Sequence, residues 1–145
     1  MVKVLIKKLN PAVKLPEYKT NGASGMDLIA FIEKTINVKP KQSCLISTGL
    51  SVAFSEGYEI QIRPRSGLAA KNNVSVLNTP GTIDSDYRGE IKVIIYNHGN
   101  RNFIINNGDR IAQMVLSPVV KIEFEETNDL SETIRGEGGF GSTGK

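Results

Sequence analysis

The sequence predicts an all-β fold, a sandwich or barrel, with one short helix. Three observations carry that expectation. The chain holds many short runs rich in Val and Ile, separated by Gly, Asn, Pro or Asp, as short strands joined by turns would be. No stretch has the long apolar periodicity of an amphipathic helix, which argues against a doubly wound nucleotide-binding fold. The 145 residues are 39% apolar and 23% charged, enough to bury the core of one domain without cross-links.

The elements follow in order. Val2–Leu9 alternates apolar and basic residues, as a half-buried strand does. Pro11 and Pro16 break the chain after it. Ala23–Leu28 enters an apolar run that starts like a strand and carries one carboxylate, Asp27. Strand-like runs follow at Ile36–Val38, Ser43–Ser47, Ser51–Phe54 and Tyr58–Arg63. Ser66–Asn72 suits a short helix, with Ser66 placed as its N-cap. Asn78–Glu90 reads as a hairpin loop between two strands, with Pro80-Gly81 as its tight turn. Glu90–Tyr96, Asn102–Ile105, Asp109–Leu116 and Val119–Phe124 complete the strands. From Arg135 onward, Gly136, Gly138, Gly139, Gly141 and Gly144 give a tail that cannot bury a core and is expected to be flexible without a ligand.

Composition also excludes functions. A net charge of +3 is too mild for a duplex nucleic-acid partner but suits a small polyanion. Cys44 is the only cysteine, so neither an internal disulfide nor a Cys-rich metal site is available, and its apolar run makes it a core filler. A Ser-His-Asp or Cys-His mechanism would rest on His98, whose turn-like setting argues against it. The first strand-like run begins at Val2, leaving no room for a leader, and no apolar run reaches membrane-spanning length. A cytoplasmic protein with no membrane partner is expected.

Five segments carry chemistry. In Arg135–Gly144, glycines let successive N–H groups turn toward one anion, Arg135 adds a charged fork, Ser142 and Thr143 add hydroxyls, and Phe140 can stack on a base. The plain alternative is a solvated tail. Gly139–Lys145 imitates a P-loop, yet lacks the Ser/Thr and the helix that a P-loop needs. Arg63–Ala69 joins a strand end to a helix start and is either a phosphate site or an ordinary corner with a Ser66 cap. Asn78–Glu90 loads one hairpin with Asn78, Asp84, Asp86 and Tyr87; it can read a base and orient a water, or be a polar turn. Ala23–Leu28 and Gly108–Met114 add Asp27 and the amide donor Gln113.

In this order and spacing the five segments resemble the motifs of the trimeric deoxyuridine triphosphatase (dUTPase) family, from Ala23 to Gly144. The specific stretches are Pro64–Ala69, Gly81–Gly89 and Arg135–Gly144. The resemblance implies a jelly-roll-like β fold over 1–134, with residues 135–145 as a lid closing over the active site. It implies a homotrimer with shared sites and hydrolysis of dUTP to dUMP and pyrophosphate, which limits uracil in DNA and supplies dUMP for dTMP synthesis.

The resemblance also implies roles. Asp84 is the general base; the residues alone leave it level with Asp86. Tyr87 packs under the deoxyribose, and Asn78, the backbone of Gly81, Thr82 and Ile83, and Lys92 read uracil. Arg65, Ser66, Gly67 and Gln113 hold the phosphates. Arg135, Phe140, Ser142 and Thr143 close from another chain, and Asp27 steadies Mg2+ through water. A dCTP deaminase on the same fold would lack this Phe-bearing tail, and a silent regulatory domain would not need Asp84 and Gln113 intact.

Overall fold

A computed structural model describes residues 1–140 and 142. The order of elements is β1 Leu5–Lys8, β2 Met26–Ile29, β3 Ile36–Val38, β4 Ser43–Ser47, β5 Leu50–Ala53, β6 Tyr58–Arg63, α1 Ser66–Asn72, β7 Val74–Val76, β8 Gly81–Ile83, β9 Lys92–Asn97, β10 Phe103–Ile105 and β11 Arg110–Pro118. The strands form four antiparallel groups: β2-β11-β6-β8, β4-β9-β7, β1-β5 and β3-β10. The result is a jelly-roll-like β sandwich with one short helix, as expected.

Side-chain alternation decides which face each strand buries. In β9, Val93, Ile95 and Asn97 are buried, while Lys92 is exposed and Ile94 and Tyr96 are half-buried. Leu28, Ile46, Ile91, Ile95 and Ile105 are wholly enclosed and form the core centre. Asn97 is tolerated there because its amide nitrogen donates to Val38 O and Arg101 O at 2.9 and 2.7 Å, while its oxygen accepts from Gly99 N. Cys44 is half-buried and packs against this core, as its apolar run predicts.

Strand β11 positions the chemistry. It pairs with β2 on one edge and β6 on the other, and Gln113 stands opposite both Asp27 and Arg63. A register shift between Arg110 and Ala112 lets both Arg110 and Gln113 approach Asp27. Strand β8 pairs only with β6 and so lies at a sheet edge.

Four expectations are corrected. Ser66 opens α1 but does not cap it: the cap position is Arg65, whose carbonyl accepts from Leu68 N and Ala69 N, and no side chain caps the helix. Val119–Phe124 is not a strand. β11 runs on to Pro118, and beyond it the alternating side chains of Val120, Ile122 and Phe124 find no partner strand and stand 89, 73 and 88% exposed. Asn78–Glu90 is not all loop, because Gly81–Ile83 is strand β8. The run at Val2 begins its pairing only at Leu5. Among the described residues, no helix is long and apolar enough to cross a membrane.

Candidate active site

A cavity of about 310 Å3 opens beside β8 and β9, lined by Leu45, Asn78, Thr82, Ile83, Asp84, Tyr87, Glu90, Lys92 and Ile94. Six of these residues are ones the sequence singles out. Lys92 and Ile94 reach the cavity because their neighbours on β9 turn into the core. The free edge of β8 leaves backbone donors and acceptors of Gly81–Ile83 unpaired by other strands. Gly81 lets Asn78 lie close: a Cβ there would meet Asn78 Nδ2 at 3.2 Å and Ile62 Cβ at 3.3 Å.

The loop from Asp84 to Gly89 is braced by its own chain. Tyr87 N donates to Asp84 O at 3.1 Å. Arg88 Nη1 donates to Ser85 O at 2.7 Å and Tyr87 O at 3.0 Å. Tyr87 Oη donates to Glu90 O at 3.0 Å, and the ring lies across Gly89, where a Cβ would come within 2.3 Å of the hydroxyl. Asp84 lines the cavity and Asp86 does not. That geometry separates two carboxylates that the residues alone leave level.

A second group gathers at the other end of the motif set. Asp27 is bridged by two guanidiniums, Arg65 Nε at 2.9 Å and Arg110 Nη1 at 3.2 Å. Arg65 Nη1 also donates to Arg110 O, and Gln113 Nε2 donates to Pro64 O at 2.9 Å. Gly25 packs against Gln113; a Cβ there would meet its Oε1 at 2.9 Å. Two arginines against one carboxylate leave this group net positive, suited to a polyanion. Ser66 and Gly67 are exposed next to it, with open space around Gly67.

The tail makes its own turns. Arg135 Nε donates to Gly138 O at 2.7 Å, Ser142 N donates to Gly139 O at 3.0 Å, and Phe140 is fully exposed. Thr143 lies outside the described residues, as do Gly141, Gly144 and Lys145. Among the described residues, neither Asp27, Arg65, Gln113 nor those of the tail line the cavity that holds Asp84, so they form three separate groups.

Comparison with known sequences now decides the family: the dUTPase family model matches residues 12–144. The chain belongs to the dUTPase family. It is 54% identical over 143 residues to the deoxyuridine 5'-triphosphate nucleotidohydrolase of a Hydrogenobaculum species, covering 99% of each chain. It is 57% identical over 144 residues to the enzyme of that name from Nautilia profundicola, covering 99% of this chain and all of the other. Among solved structures, a Staphylococcus bacteriophage 80alpha dUTPase with dUPNHPP superposes with a TM-score of 0.88 at 26% identity, over 99% of both chains.

The cavity and the Asp27 group hold residues that sequence reasoning missed. Leu45, Glu90 and Ile94 line the cavity, and Arg110 shares Asp27 with Arg65. Arg110 lies inside a segment already singled out, and its part follows from the β11–β2 register. A metal has little protein to hold it: no group of three or more His, Cys, Asp or Glu side chains occurs among the described residues. Asp27 oxygens each accept one hydrogen bond from an arginine and keep further acceptor capacity. That donor set fits Mg2+, which keeps several waters and takes substrate phosphates as ligands.

Proposed function

We propose that this chain hydrolyses dUTP to dUMP and pyrophosphate, by attack of a water held by Asp84 on the α-phosphorus. The observation that carries the reading is the cavity in which Asp84, Tyr87, Asn78, Lys92 and the free edge of β8 come together. Asp84 accepts the proton of the attacking water, a bond from its oxygen to phosphorus forms, and the bond to the bridging oxygen of pyrophosphate breaks. Tyr87, braced over Gly89, fills the space a 2′-hydroxyl needs. Asn78, the backbone of Gly81, Thr82 and Ile83, and Lys92 read the uracil edge.

Arg65, Ser66, Gly67 and Gln113 of one copy hold the phosphates beside Asp84 of another. Arg135, Phe140, Ser142 and Thr143 of a third close over the nucleotide. Separation of the groups on one chain, open space around Gly67 and the exposed row Val120, Ile122 and Phe124 all support this homotrimer. Asp27 would steady Mg2+ through water, and the metal would supply neutralisation of the departing charge. The positive balance around Asp27 draws the triphosphate. Such an activity limits uracil in DNA and supplies dUMP for dTMP synthesis.

The test is proton release with dUTP, dCTP, dTTP and UTP, with and without Mg2+. Turnover confined to dUTP and dependent on Mg2+ is expected. Deamination of dCTP, or binding of dUTP without hydrolysis, would defeat the reading.

A further inference from the structure

Glu90 belongs to the cavity wall without a role of its own so far. Its side chain is about a fifth exposed and makes two contacts. Oε1 accepts from Gly49 N at 2.9 Å, and Oε2 stands 3.5 Å from Lys92 Nζ. Its backbone carbonyl is the acceptor for the Tyr87 hydroxyl. One residue therefore touches both side chains proposed to meet the base and the sugar.

The surroundings fix Glu90 firmly. Ile91 N donates to Leu50 O at 2.7 Å, and the buried Thr48 hydroxyl donates to Ile91 O at 2.6 Å. With the Glu90–Gly49 bond, three links tie the end of the Asp84–Gly89 loop to the segment Thr48–Leu50. Gly49 itself has little freedom to shift, because it lies against Val13 and Phe31 at a positive φ of 69°. Lys92, by contrast, is 42% exposed on a flexible stem, and its described ionic partner is Glu90. Without that carboxylate the ammonium has many rotamers open to it.

We infer that Glu90 is a positioning residue of the base subsite: its carboxylate aims Lys92 across the cavity and, through Gly49, anchors the loop end that receives Tyr87. The inference rests on the proposed dUTP reading. It separates into two parts by chemistry. Glu90→Gln keeps an oxygen for Gly49 N but removes the charge that holds Lys92. Glu90→Ala removes both contacts.

The experiment is steady-state kinetics of the full chain with dUTP and UTP, for Glu90→Gln, Glu90→Ala, Lys92→Met and the Gln-Met double variant, with melting temperatures alongside. Glu90→Gln should raise KM for dUTP by ~3-fold or more with kcat little changed, and its effect should fail to multiply with that of Lys92→Met, as coupled neighbours behave. Glu90→Gln should keep the preference for dUTP over UTP, and Glu90→Ala should erode it. An unchanged KM in Glu90→Gln, independent effects in the double variant, or an unchanged UTP ratio in Glu90→Ala each overturns the inference, and a lowered melting temperature alone marks a merely structural contact. Should Glu90→Ala fail to fold, Glu90→Gln and the double variant decide. An unmodified chain that does not turn over dUTP defeats the functional reading itself, whereas an active chain with indifferent variants defeats only this inference.

Discussion

Tyr87 can lie where it does because residue 89 has no side chain. An alanine Cβ at 89 would sit 2.3 Å from the tyrosine hydroxyl, and Tyr87 is exposed enough to swing outward. Gly89→Ala should therefore cost little stability and cost selectivity instead. We predict that dUTP's advantage over UTP in kcat/KM falls by ~10-fold or more, since a pocket that loses its clash loses its discrimination. Kinetics with the two nucleotides checks this, and an unchanged ratio would remove Tyr87 from the sugar. Asp84→Asn should keep nucleotide affinity and lose ~10²-fold or more in kcat, because an amide cannot take the water's proton. Near-normal turnover would move the base to Asp86 despite its place outside the cavity wall. At this scale Asn78, Asp84 and Tyr87 were legible as a loaded hairpin, because a solvated turn does not require their polar atoms together, whereas Lys92 entered only through the family resemblance. Leu45 and Ile94 were not, because an apolar side chain on a strand looks the same whether it faces a core or a base. Glu90 was read as a strand end, and only its contacts with Gly49 and Lys92 distinguish it.

The strands show where alternation informs and where it fails. β3, β4, β6 and β10 fall where their patterns put them, because each buries side chains of one face in a core on its own chain, while β9 starts two residues later than Glu90, at Lys92. β7 and β8 have three residues each, too few for a period of two to stand out, and β8 also hides behind Pro80. The helix was legible in extent, but its cap was not: Ser66 carries the right side chain, yet the extended residue is Arg65. Val119–Phe124 is the instructive miss. Its alternation is that of a strand, but among the described residues no strand pairs with it and its apolar side chains stand exposed. An exposed apolar row of this kind is expected to pair with another copy. Replacing Ile122 and Phe124 together by Asp should weaken assembly by more than ~10²-fold, because each buried side chain contributes roughly 1.5–3 kcal/mol. Light scattering over a concentration series reads the effect, and circular dichroism checks that the strands persist. An assembly unmoved by both charges would place the copy interface elsewhere.

As a whole, the molecule is a β sandwich that carries three separate groups of the singled-out residues on its surface. In the proposed reading the cavity around Asp84 takes the base, the Asp27–Arg65–Arg110 group supplies charge, and Phe140 of the tail supplies the aromatic. The residues alone do not give that division, since a motif states what a residue can do and not which copy it serves; only the family resemblance implies it. It makes the tail separable from the fold. Residues 135–140 lend no side chain to the buried core, and the hydrogen bonds described for them run within Thr133–Ser142. Gly136, Gly138 and Gly139 make a fixed free conformation entropically costly, so the proposed lid is expected to order on bound nucleotide. In that case closure excludes water and completes the site. Truncation after Ile134 should then leave melting temperature within ~3 °C of the full chain, because surface segments without core contacts contribute little. Assembly size should be unchanged, since Val119–Phe124 remains. Turnover should fall by ~10²-fold or more while weak nucleotide binding persists, as expected when groups that act only on closure are removed. An active truncated protein would show that the tail is no lid. A truncated protein that falls to single chains would instead make residues 135–145 part of the contact between copies.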